Sequence, residues 1–135
     1  MIANTLIERK FISVSDFRCS AGPGDTPFAE QHRCHSISYV RKGSFGLHCR
    51  GKFSELVAGS VLIGHPGDEY TCTHEHVCGD ECLSIRLSDE LAESGKGLWN
   101  LAKLPPLPEL MVLGELAQAA LVLTRIENLQ LRNSC

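Results

Sequence analysis

Three consecutive runs carry the fold: Tyr39-Val40-Arg41-Lys42-Gly43-Ser44-Phe45-Gly46-Leu47-His48-Cys49-Arg50-Gly51-Lys52-Phe53, then Gly59-Ser60-Val61-Leu62-Ile63-Gly64-His65-Pro66-Gly67-Asp68-Glu69-Tyr70, then Thr71-Cys72-Thr73-His74-Glu75-His76-Val77-Cys78-Gly79-Asp80-Glu81-Cys82-Leu83-Ser84-Ile85-Arg86-Leu87. Short strands rich in β-branched and aromatic residues are broken at close intervals by glycine turns. That grammar predicts an all-β sandwich or barrel. Strands are expected at 34–41, 44–50, 52–57, 60–64, 70–76 and 81–87, with Arg50-Gly51 as a tight hairpin. An earlier strand is expected over 10–18. The segment 20–31, with Gly22, Pro23, Gly24 and Pro27, reads as a loop.

Beyond Leu87 the pattern changes. Ser88 is placed to cap a short helix whose first turn carries Asp89 and Glu90. Pro105, Pro106 and Pro108 form a stiff connector, and Pro108 opens a second helix to about Leu129. Leu110, Leu113, Leu116, Ala117, Ala120 and Leu123 make this helix apolar over more of its circumference than packing on one barrel requires. A homodimer interface through these six residues is the expectation. The division is 1–104 for barrel and short helix and 105–135 for connector and dimerisation helix, within one domain.

At 135 residues with 43% hydrophobic and 21% charged content, the chain is long enough for one domain with its own core. No signal-like or bilayer-length apolar run appears, so a cytoplasmic address is expected and no membrane partner. A net charge of −3 with scattered Lys and Arg argues against nucleic-acid binding by this chain itself. The seven cysteines are odd in number and irregularly spaced, which favours reduced thiols over a disulfide scaffold.

From His32 to Ser88, with the connector and helix behind it, the chain resembles the N-terminal cupin domain of AraC-type transcription regulators. The resemblance rests on Ile37-Ser38-Tyr39-Val40-Arg41-Lys42-Gly43, on Gly59-Ser60-Val61-Leu62-Ile63-Gly64-His65-Pro66-Gly67, and on His76-Val77-Cys78-Gly79-Asp80-Glu81-Cys82-Leu83-Ser84-Ile85. It implies a cupin-like (jelly-roll) β-barrel that senses a small-molecule effector, dimerises, and is not an enzyme. DNA contact is expected only through a C-terminal domain with helix-turn-helix motifs, which this chain does not include. Ligand-pocket candidates are His32, Tyr39, His48 and Tyr70, with the barrel lining drawn from 36–40, 47–49 and Leu62.

Metal-dependent cupins hold their ion with a His-x-His pair, a carboxylate and a further His. Those positions fall on Glu30, His32, Ser36 and Tyr70, of which only His32 matches in type. A metal-dependent cupin enzyme is therefore disfavoured and no cofactor is expected from the frame. A separate cluster, Cys72, His74, His76, Cys78 and Cys82, offers imidazole and thiol ligands suited to zinc or another soft metal. Its first four members are spaced by two and so share a face if the strand continues through them. A metal- or redox-responsive cupin is the alternative this cluster carries. His35, His48 and His65 read as surface residues near turns.

Overall fold

The computed structural model describes residues 1–76, 79–95 and 97–133, the side chains of 128 and 131–133 excepted. Within these, nine strands run β1 Ile2–Glu8, β2 Ile12–Cys19, β3 Ala29–Gln31, β4 His35–Cys49, β5 Lys52–Val57, β6 Val61–Gly64, β7 Glu69–Thr73, β8 Asp80–Leu87 and β9 Lys103–Leu104. They are followed or interrupted by α1 Asp89–Ala92, two short 3-10 turns, and α2 Pro108–Asn133. All strand pairs are antiparallel.

Two sheets share β4. Its first half pairs with β8 and β6, in the order β1-β2-β8-β4-β6-β9. Its second half pairs with β5 and β7, and β7 pairs in turn with β3. The passage between sheets lies at Val40–Gly43, where the register with β8 slips by one residue. Gly43 has φ 79°, and a Cβ there would collide with the Gly79 carbonyl and the Asp80 backbone. Only glycine fits both the left-handed backbone and the close approach.

Several expected boundaries change. Lys42-Gly43-Ser44 is not a turn between two strands but the bend inside one 15-residue strand. An unexpected β1 pairs along β2, and a short β3 lies in the segment read as a loop. The β7 strand ends at Thr73 rather than His76. The Arg50-Gly51 hairpin is present, with Arg50 at φ 53° and Gly51 at φ 73°. Arg50 sits in a region unfavourable to a side chain, and its guanidinium donates to Asp68 and to the carbonyls of Trp99 and Asn100. Those bonds tie the hairpin to the Pro66-Gly67 turn and to the chain after α1.

The alternation of β strands sorts the core into two layers. One face of the larger sheet presents Val14, Tyr39, Val61, Ile63 and Leu83 to the helical layer. Leu110, Ala117 and Leu121 of α2 pack there, with Trp99 and Ala92. The opposite face turns Val40 and Cys82 inward, to meet Phe45, Leu47, Cys49 and Leu56 between the sheets. Ser88 caps α1 by accepting from the Leu91 amide at 3.2 Å. Arg41 donates to Glu115 at 3.1 Å and so ties α2 to the bend of β4.

Leu110 and Ala117, expected in the dimer interface, are instead buried partly against this chain's own barrel. Leu113, Leu116, Ala120 and Leu123 remain on the outward face, with Leu113 and Leu116 each 62% exposed and Leu123 61%. Among the described residues no helix is long and apolar enough to cross a membrane.

Gly114 lets α2 close onto the barrel: a Cβ there would lie 2.7 Å from the Tyr39 ring. Gly114→Ala gains up to about 1 kcal/mol of helix propensity. Overpacking against a buried ring costs about 1–3 kcal/mol. The net expectation is a protein less stable in urea unfolding by up to about 2 kcal/mol. Equal or greater stability would show that α2 does not rest on Tyr39.

Candidate functional site

Between the two sheets lies a cavity of about 860 Å³, within the size range of small-molecule sites. Strand alternation determines what faces it. Along β8, Asp80, Cys82, Ser84 and Arg86 all point inward and all line it. The partner positions on β2, Phe17 opposite Cys82 and Cys19 opposite Asp80, line it as well. Ser36, Ser38 and Phe45 come from β4, Leu62 from β6, and Tyr70 and Cys72 from β7. The loop between β2 and β3, from Ser20 to Phe28, borders the opening.

His32 is set into this wall by backbone bonds to the Pro66-Gly67 turn. Its amide donates to the Asp68 carbonyl at 2.9 Å, and its carbonyl accepts from Gly67 N–H at 2.9 Å. Its ring stacks on Tyr70, with centroids 4.1 Å apart and planes 18° apart. Gly64 makes room: a Cβ there would come within 2.8 Å of His32 Nδ1. His32 Nε2 is buried without a hydrogen-bond partner in the protein. Burial lowers the His32 pKa, with Arg50 adding to the effect and Asp68 opposing it. The ring is therefore a neutral imidazole at neutral pH.

Burial raises the Glu30 pKa, partly offset by His74. It raises that of Tyr70 far above the ordinary phenol range, with Glu30 adding to the shift. The Cys72 thiol is pushed up to about 12, chiefly by burial, and burial raises Cys82 as well. These thiols are protonated and packed, which removes them as nucleophiles. Ser38 and Ser84 hydroxyls bond each other at 2.9 Å across β4 and β8. The wall thus offers hydroxyls, an imidazole acceptor or donor, Arg86 and apolar rings to an enclosed molecule.

The cupin metal positions Glu30, His32, Ser36 and Tyr70 do converge on this cavity. They do not fit a metal. Tyr70 lies flat on His32 where a fourth ligand would aim a donor atom, and Ser36 offers a hydroxyl in place of a carboxylate. Among the described residues, no group of three or more His, Cys, Asp or Glu ligand atoms at metal-binding separation includes Glu30 or His32.

The pocket candidates separate. His32 and Tyr70 line the cavity. Tyr39 does not, because its odd register on β4 turns it to the α2 side. His48 is exposed and packs on Phe53. Leu47 and Cys49 fill the closed end of the interior rather than the cavity. His35 is not a surface residue either: it packs edge-on against Trp99 at 4.6 Å and His65 at 5.4 Å.

The Cys/His cluster does not assemble as spaced. With β7 ending at Thr73, the alternation stops before His76, which is exposed. Cys78 lies outside the described residues. Cys72, His74 and Cys82 line the cavity, and His74 faces Asp80 there, with Nδ1 3.6 Å from Oδ2. Cys19 joins those two: one ligand atom from each of Cys19, His74 and Asp80 lies within 4.8 Å of the others. Cys19 and Asp80 were not candidates from the sequence. The signal that could have found them is the inward alternation of 80, 82, 84 and 86 and the β2–β8 register.

No protein-family model matches this chain, and no curated protein matches it. Solved structures do. A cupin protein from Bacteroides fragilis is 22% identical, with 65% of this chain and 77% of that chain covered and a TM-score of 0.52. The cupin domain of Schizosaccharomyces pombe Cnp3 is 12% identical over 71% of this chain and 70% of that one, at a TM-score of 0.56. FeII HppE in complex with substrate is 10% identical over 64% of this chain and 53% of that one, at 0.55.

Suppression of the His32 charge has a consequence for stability. Its folded pKa lies below the ordinary value of about 6.5. Above that pH both states are neutral and stability is full. As pH falls below about 6.5 the unfolded chain takes up a proton the folded one does not, and stability is lost. His32→Gln is expected to lose less stability than the parent between about pH 7.5 and about pH 5.5 in urea unfolding. The comparison isolates His32 from the carboxyls that titrate in both proteins. Identical losses would show that His32 is not held neutral.

Proposed function

We propose that this chain, which has the cupin fold and a barrel cavity of small-molecule size, is the effector-sensing and dimerisation domain of an AraC-type transcription regulator. The observation that carries the proposal is the state of the cupin metal positions: they line the cavity but present a stacked His32–Tyr70 pair, Glu30 and Ser36. A site so composed is suited to holding a small molecule. Its occupant is a small polar molecule with an apolar part. Ser36, Ser38, Ser84, Arg86 and the free His32 Nε2 serve the polar groups, and Phe17, Phe45, Leu62 and Tyr70 the rest.

The second half of the proposal is a homodimer through the outward face of α2, where Val112, Leu113, Leu116 and Leu123 expose apolar surface. Such a face on a helix already seated on its barrel calls for further cover. DNA contact belongs to a further C-terminal domain in this reading. An effector would act by its differential affinity for two arrangements of barrel and helix. The Arg41 links to Glu115 on α2 and to Glu81 on β8 join cavity wall and interface helix.

Two measurements test this. A thermal-shift screen of small polar metabolites, confirmed by calorimetry, is expected to yield a saturable ligand. Leu62→Trp, which fills the cavity, is expected to weaken that ligand at least about tenfold, or about 1.4 kcal/mol. Unchanged affinity in a folded Leu62→Trp protein would place the ligand elsewhere. In sedimentation, the parent is expected as a dimer and Leu116→Glu as a monomer. A monomeric parent, or a dimeric variant, would contradict the helix interface.

A further inference from the structure

At the end of the cavity where β2 and β8 meet, two buried side chains face each other at ion-pair distance, each with a nitrogen or oxygen that makes no hydrogen bond. The Asp80 side chain is only 9% exposed, and its Oδ2 has no hydrogen-bond partner. His74 is 14% exposed, and its Nδ1, 3.6 Å from that oxygen, has none either. Asp80 Oδ1 meets only the weak Cys82 thiol donor, at 3.9 Å. Buried polar groups in this condition require an occupant, either water or an ion. The third neighbour decides between them. A water would be served by His74 and Asp80 alone, whereas Cys19 adds a free thiol to the same 4.8 Å cluster.

We propose that Cys19, His74 and Asp80 form a binding site for a late first-row divalent cation, with Zn²⁺ the best match. This is not the cupin metal position, and it does not rest on the effector reading. Sulfur, imidazole nitrogen and carboxylate oxygen together are a borderline-soft set that suits zinc and disfavours calcium or magnesium, which take oxygen. Thiolate and carboxylate supply two negative charges to balance the ion. Tetrahedral zinc holds such ligand atoms about 3.3–3.6 Å apart, so the cluster contracts by at most about 1.5 Å. His74 can supply that movement because it follows the end of β7 and is free of strand pairing. Three protein ligands leave a fourth position, and all three residues line the cavity, so that position faces its interior.

The test uses Co²⁺ as a spectroscopic substitute, added to the whole chain after chelator treatment. The expected result is one equivalent bound with a near-ultraviolet sulfur-to-cobalt charge-transfer band, and competition by Zn²⁺. Cys19→Ser should abolish the band, and both Cys19→Ser and His74→Gln should weaken binding at least about tenfold. His76→Gln and Cys72→Ala should change neither band nor affinity. Asp80 opens β8 and packs against the β4 bend at Gly43, so its variants risk misfolding; the near-isosteric Cys19→Ser, checked by its metal-free melting curve, carries the test. No saturable binding by the parent would overturn the proposal. So would a band that survives Cys19→Ser or is lost in Cys72→Ala.

Discussion

The bend of β4 at Gly43 is the constraint on which the rest of the molecule depends. A 15-residue strand serves two sheets only if its backbone turns sharply while both halves stay hydrogen-bonded. Gly43 makes that turn in a left-handed conformation, against the Gly79 carbonyl and the Asp80 backbone. The contact sets where β8 begins, and the β8 register then sets which of its residues point inward. A one-residue slip would exchange Cys82, Ser84 and Arg86 for Leu83 and Ile85, closing the cavity and stranding Leu83, now fully buried against the helical layer.

The interior is graded along the barrel. Val40, Leu47 and Leu56 fill one region completely, and this region supplies the hydrophobic stabilisation of the two-sheet packing. Toward the β2–β3 loop the inward positions become Ser36, Ser38, Ser84, Glu30 and Arg86, which cannot pack densely without partners. The cavity is the physical result of that change in side-chain type on a continuous backbone. Burial there holds His32 neutral and keeps the Cys72 and Cys82 thiols protonated, so the wall is rich in hydrogen-bonding groups and poor in reactive ones.

Much of the frame was legible in the residues. Arg50-Gly51 and Pro66-Gly67 mark real turns, and the cap at Ser88 and the start of α2 at Pro108 fall where local chemistry puts them. Lys42-Gly43-Ser44 misled because a glycine with positive φ looks the same locally in a turn and in a bend; only pairing with β8 tells them apart. The β1 strand has a weak alternation of its own and is defined by β2 beside it. The period-two spacing of Cys72, His74 and His76 has meaning only while a strand lasts, and β7 stops at Thr73. Cys19 and Asp80 are far apart in sequence and adjacent only through register, information that no local pattern carries.

The central claim is that the barrel interior, rather than the helix face or the turns, receives a small molecule. A crystal structure of the protein soaked with its strongest thermal-shift ligand tests this most directly. Ligand density between Ser84, Arg86 and the His32–Tyr70 stack is the predicted result. Density confined to the outer surface, with the cavity holding only water, would contradict the account.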